Sequence, residues 1–197
     1  MKRFFAALMM SVALVGCASK PSNVEYGQIA VKEGISGVTN STFVQWNDEY
    51  AVTVKHGASV PRSVYISDEF DVQFIKKESI AKVKWNSPKD KEVLSMEGFT
   101  KYRQKTPDVM VGPDAGITAT YFSEKDGYRL VETTIQKGMS GGPVYNSNRE
   151  VVGINIGFTA KQIKVVDKTA FYSVYLPYDT IKAEWEKFKT TQQLSQK

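Results

Sequence analysis

From Gly37 to Pro177 the chain is written in short runs that turn residues keep cutting off. "STFVQW", then "NDE", then "YAVTVK" reads as a β-hairpin. "SVYIS", "DVQFIKK", "AKVKWN", "KEVLSMEGF", "GITATYF", "YRLVETTI", "PVYNS", "REVVGINIGF" and "KTAFYSVYLP" are further strand-like runs. Short strands at this spacing predict an all-β chain, an antiparallel sandwich or barrel. "KYRQKTPDVMVGPDAG" carries little strand signal and reads as a long surface loop. One helix is expected at the end. Asp179 can cap it after Pro177, and Ile181, Trp185 and Phe188 give it one apolar face. Residues 191–197 read as a frayed tail. A length of 197 residues fits one domain plus a short extra segment.

That extra segment is at the start. "MKRFFAALMMSVALVGCASK" has Lys2 and Arg3, an apolar run from Phe4 to Val15, then Gly16 and Cys17. The run falls short of the ~20 apolar residues of a membrane-spanning helix and has the plan of a secretory signal peptide. "LVGC" resembles the lipobox of bacterial lipoproteins. The resemblance implies cleavage before Cys17, lipidation of its thiol, and export to the outer membrane, facing the periplasm or the cell surface. Residues 1–16 are then the signal peptide, 17–35 a lipidated N-terminus and tether, and 36–190 the folded domain. Cys17 is the sole cysteine, so no intrachain disulfide and no cysteine-built zinc site is possible.

Charge excludes one class of partner. The formal net charge is +5, and removing Lys2 and Arg3 leaves +3. The lysines are scattered among acids, as in "KKESIAKVKWNSPKDKE", whereas nucleic-acid binding wants a clustered basic patch.

"QKGMSGGPVY", Gln136 to Tyr145, sets one serine among three glycines and a proline. Such a stretch suits neither a helix nor a strand interior. It suits a tight loop that brings backbone N–H groups close to a ligand. Gly138-Met139-Ser140-Gly141-Gly142 also fits G-x-S-x-G, the nucleophile elbow of α/β-hydrolases. That fold orders its triad serine, acid, histidine. Here the only histidine, His56, lies 84 residues before Ser140, so the elbow reading fails on chain order.

The order His…Asp…Ser remains. "GMSGGPVY" resembles the G-[DN]-S-G-G-P stretch of trypsin-like serine proteases, and "YAVTVKHGAS" their histidine segment. "DVQFIKK" resembles their aspartate strand. "KEVLSMEGF" and "EVVGINIG" resemble further strands of the disulfide-free bacterial branch, and the matches keep their order from about Gly37 to Glu184. The resemblance implies two antiparallel six-stranded β-barrels, here with a C-terminal α-helix, and a cleft between them. It implies a membrane-anchored serine endopeptidase in which Ser140 is the nucleophile, His56 its base and Asp71 the residue orienting His56. Gly138 and Ser140 would supply the oxyanion hole. Imidazole titrates near neutral pH, which suits it to taking the serine proton. Asp68, three residues before Asp71, is the runner-up for the orienting role.

The same resemblance places Thr134, six residues before the nucleophile, at the base of the primary pocket. Asn155, Ile156 and Gly157 would form the strand that pairs with substrate backbone, and Phe171 to Ser173 an opposite wall. No acid stands at Thr134, so nothing argues for Lys or Arg selectivity, and a small or apolar side chain is expected. Three residues depart from the family pattern: Lys55 before His56, Gln73 in the aspartate strand, and Met139 before the serine, whose bulk is expected to alter substrate access. No metal or organic cofactor is implied. The expected partners are a protein or peptide substrate and, through Cys17, a membrane. The competing reading is a catalytically weak or inactive protease-fold lipoprotein that acts as a binding module.

Overall fold

The computed structural model describes residues 23–33, 37–56, 60, 62–100, 105–118, 127–165 and 167–194. The signal peptide and Cys17 lie outside the described residues. Strands β1 (Tyr26–Glu33), β2 (Gly37–Gln45), β3 (Tyr50–Thr53), β4 (Ser63–Ile66) and β5 (Gln73–Lys76) form one antiparallel sheet in the order β1-β2-β3-β5-β4. A closed barrel follows. Its strands are β6 (Val93–Gly98), β7 (Asp108–Thr118), β8 (Arg129–Val131), β9 (Pro143–Tyr145) and β10 (Val151–Phe158), then, after a small hairpin of β11 (Ile163–Val165) and β12 (Lys168–Ala170), β13 (Ser173–Pro177). Around the barrel the order is β10-β13-β8-β7-β6-β9. Helix α1 (Tyr178–Leu194) ends the described chain.

The all-β reading with one terminal helix holds, and one six-stranded barrel is present. The first half differs from its expected six-stranded barrel: among the described residues it is a five-stranded sheet. The stretch "AKVKWN", expected as another strand, leaves this sheet. Trp85 bridges to Val151, whose N–H donates to the Lys84 carbonyl at 2.7 Å and whose carbonyl accepts from Asn86 N–H at 2.9 Å. Those backbone groups serve the barrel instead of closing the first sheet.

Other boundaries also move. Part of the expected tether is β1, which pairs with β2 from Tyr26↔Val44 to Glu33↔Gly37. The expected loop holds most of β7, paired with β6 from Val93↔Pro113 to Gly98↔Asp108. Helix α1 starts at Tyr178 and runs through the expected tail to Leu194, so Asp179 sits inside its first turn. There the Asp179 carboxylate accepts from the Ser87 hydroxyl at 2.6 Å.

One core serves both halves. Val44, Val52, Val54, Val72 and Phe74 of the first half pack with Leu130, Ile154, Ile156, Val174 and Leu176 of the barrel. Helix α1 leaves the barrel and lies on the first sheet. Its Trp185 ring contacts Trp46, Tyr50 and Phe74, and Phe188 contacts Tyr50, Tyr65 and Phe74. Burying a side chain of this size is worth about 1.5–3 kcal/mol, so α1 acts as a clasp that fixes how the two halves meet.

Candidate active site

His56 follows β3, and Asp71 precedes β5, the strand beside it. The short loop between them is no obstacle, because β3 and β5 pair directly, with Thr53 opposite Gln73. Asp71 is gripped on all sides. Its Oδ1 accepts the N–H groups of Lys55 and His56 at 2.9 and 2.8 Å. Its Oδ2 meets His56 Nδ1 in a short contact. Its own N–H donates to the Tyr128 hydroxyl at 2.8 Å, a bond that crosses from the first half to the second. Burial pushes the Tyr128 phenol up, so it stays neutral beside the carboxylate. A carboxylate at Nδ1 selects the tautomer with its proton there, which puts the basic lone pair on Nε2. Asp68 is exposed, and of the two acids Asp71 is the one whose carboxylate meets His56 Nδ1.

Two of the departures have plain roles. Gln73 is buried, and its side-chain amide donates to the Val54 carbonyl at 2.7 Å, bracing the strand end that leads to His56. Lys55 turns away, its ammonium donating to the Ser67 carbonyl at 2.6 Å.

Ser140 rides on the loop between β8 and β9. The loop needs glycine where it turns: Gly138 and Gly141 have φ of +100° and +84°, the left-handed region. A Cβ on Gly141 would lie 2.0 Å from the Thr42 carbonyl oxygen. This closeness reflects how β2 straps the loop. Thr42 N–H and the Ser41 hydroxyl donate to the Ser140 carbonyl at 2.8 and 2.7 Å, and the Thr42 hydroxyl donates to the Gly138 carbonyl at 3.2 Å. The Ser140 hydroxyl donates to the Ile156 carbonyl at 3.1 Å.

Met139 does not alter access to the cleft. It is fully buried and packs in the barrel core with Leu94, Met96, Ile135, Val144 and Tyr175. The loop alternates, so a residue beside an outward serine points inward, and a large apolar side chain suits that position.

His56, Asp71 and Ser140 line one cleft of about 330 Å³, together with Ile135, Gln136, Lys137, Ile156, Gly157 and Phe158. Of the residues expected to bind substrate, Ile156 and Gly157 line this cleft. Thr134 is exposed and outside the lining, whereas its buried neighbour Ile135 lines the cleft. Asn155 is fully buried and faces the serine loop, away from the cleft. The expected opposite wall is also absent from the lining: Phe171 is exposed, and the Ser173 hydroxyl acts indirectly by accepting Ile135 N–H at 2.8 Å. Ile135, Lys137 and Phe158 carried no signal in the sequence beyond lying near recognised residues.

No protein-family model matches the chain, and no curated protein matches it. Solved structures do. The chain is similar to a serine-to-alanine variant of the HtrA-type protease AlgW with a tripeptide, at 14% identity and a TM-score of 0.64, covering 82% of this chain and 59% of that one. A protease from M. tuberculosis in its active form matches at 12% identity and 0.65, covering 85% of this chain and 82% of that one. A serine endoprotease from Yersinia pestis matches at 18% identity and 0.60, covering 85% and 63%. The chain thus spans about three fifths of the AlgW structure's length. The likeness shows the fold: a chymotrypsin-like one, shared with serine proteases.

Proposed function

We propose that this protein is a serine endopeptidase held at a membrane by lipidated Cys17. The observation that carries the peptidase reading is the meeting of His56, Asp71 and Ser140 in one cleft, with Asp71 on Nδ1 of the imidazole. In this reading His56 Nε2 takes the Ser140 hydroxyl proton as Oγ attacks the scissile carbonyl. The oxygen of the tetrahedral intermediate gathers negative charge and is met by the N–H groups of Ser140 and Gly138. The imidazolium passes its proton to the leaving amine, and the acyl group stays on Oγ. Water, deprotonated by the same nitrogen, then releases the acid and restores Ser140.

The substrate chain adds as a strand along Ile156–Phe158, where β9 no longer pairs with β10. Ile135, Ile156 and Phe158 offer apolar surface, and Asp71, the only acid among the described lining residues, is held by His56. The residue before the cut is therefore small or apolar, and Lys or Arg is disfavoured.

The test is to incubate the chain with a mixed peptide library and with a fluorophosphonate probe. Products ending in apolar residues, and labelling lost in Ser140→Ala, are expected. Binding of peptides without cleavage or labelling would leave the binding-module reading in its place. For the anchor, fatty-acid labelling in a bacterial host should be lost in Cys17→Ser. Label retained in that variant would overturn the lipid assignment.

A further inference from the structure

Asn155 is buried in β10 at 0% exposure, yet it carries a polar side chain. Its amide nitrogen donates to two carbonyls, that of Glu97 at 2.8 Å and that of Met139 at 3.2 Å. Two acceptors on one side fix which end of the amide points there, since only NH₂ can serve both. Its Oδ1 is buried without a hydrogen-bond partner, so the benefit of the amide lies in those two carbonyls.

The backbone of Asn155 holds the same loop. Its N–H donates to the Gly142 carbonyl at 2.8 Å, and its carbonyl accepts Gly141 N–H at 2.7 Å. Gly142 N–H closes back onto the Met139 carbonyl at 3.0 Å. The Met139 carbonyl is thus tied down on the inner side of the loop. In a trans peptide the N–H of the next residue points the opposite way, and the Met139–Ser140 peptide is trans. The next residue is Ser140. Fixing the Met139 carbonyl inward therefore turns the Ser140 N–H outward.

We infer that Asn155 is a positioning residue for the oxyanion site: by holding the Met139 carbonyl it aims the Ser140 N–H at the cleft. This rests on the peptidase reading. Asn155 touches no substrate and acts through the Met139–Ser140 peptide. Without its amide the Met139 carbonyl keeps only the Gly142 N–H, and the Ser140 N–H loses its aim at the cleft.

The experiment compares the parent chain with Asn155→Ala and with Asn155→Asp, which keeps the shape but turns an oxygen toward the two carbonyls. Folding is checked by circular dichroism, and each variant is assayed well below its own Tm. Turnover of a peptide substrate and inhibition by a peptide aldehyde, whose adduct places an oxygen where the oxyanion forms, are measured for each. Losing one oxyanion donor costs about 10²–10³-fold in turnover, so kcat is expected to fall on the order of 10²-fold with KM little changed. The aldehyde should weaken by a similar factor. A purely structural role would lower Tm without that paired loss. A folded variant with parental kcat, or a kcat loss with parental aldehyde affinity, overturns the inference. A parent chain that neither cuts peptides nor takes the fluorophosphonate overturns the peptidase reading itself, and the role of Asn155 with it.

Discussion

Thr42 of β2 donates its N–H to the carbonyl of Ser140 at 2.8 Å, so the first sheet grips the barrel's loop at the residue proposed as the nucleophile. The Thr42 hydroxyl adds a second tie, donating to Gly138 and accepting Phe99 N–H at 3.1 Å. Thr42→Val keeps the backbone bond and removes the hydroxyl. A half-buried carbonyl and a half-buried N–H then lose their partner, at about 1 kcal/mol each. Urea unfolding should show the loss, and kcat should fall roughly tenfold as Gly138 loosens, since a misaimed oxyanion donor costs turnover. Parental stability and turnover together would contradict this account.

Ser140, His56 and Asp71 should behave as one unit. Ser140→Ala and His56→Ala should each cost on the order of 10⁶-fold in kcat, and the double variant little more. Asp71→Asn should cost about 10⁴-fold near neutral pH by favouring the wrong imidazole tautomer. Asp68→Asn should be close to parental. Single-turnover kinetics on folded variants decide this, and an Asp68→Asn loss exceeding that of Asp71→Asn would move the orienting role.

Gly141→Ala should abolish activity. The new Cβ would meet the Thr42 carbonyl oxygen at 2.0 Å and the Thr53 hydroxyl at 2.5 Å, and φ of +84° is itself costly for alanine. Neither neighbour can give way without opening the strap on the serine loop. Fluorophosphonate labelling of purified variant is the measurement, and labelling at the parental rate would refute the steric argument.

Glu184 of α1 gives stability a pH dependence. Burial raises its pKa, but hydrogen bonds from Lys187, Ser67 and Tyr65 outweigh this and hold the carboxyl below its usual value of 4.5. The Tyr65 phenol, half-buried and donating to Glu184 at 2.8 Å, is pushed up to about 12. A depressed carboxyl stabilises the fold above its unfolded pKa, and that contribution is lost as pH falls through the folded value. Glu184→Gln should therefore lower stability by about 2 kcal/mol at pH 7, the scale of hydrogen bonds to a charged group. The difference should shrink below about pH 4. Urea midpoints at several pH values test it, and a gap that stays constant with pH would contradict the assignment.

Much of the fold was legible because its strands alternate or are β-branched, as in "FVQW", "VQFI" and "VVGINI". β7 was hidden because its stability is tertiary. Gly112, Pro113 and Asp114 read as a loop, yet Asp114 is buried there, accepting from Arg129 at 2.7 Å and from the Tyr175 hydroxyl. β1 was hidden because an edge strand needs only one partner and tolerates the mixed "YGQIAVKE". At the site, His56, Asp71 and Ser140 stood in motifs. The exchange of Thr134 for Ile135 and the inward turn of Asn155 did not, because side-chain direction in an irregular loop and at a strand's functional end depends on partners far along the chain.

β1 begins at Tyr26, which shortens the leash. Anchored at Cys17 as proposed, the first described residues follow after only a handful of positions. A fully extended chain spans at most about 3.5 Å per residue, so Val24 can stand no more than roughly 25 Å from the lipid. The catalytic body would then patrol a thin shell over the bilayer. It would meet chains that are themselves tethered, emerging or stalled there, and would leave polypeptides deeper in the compartment untouched.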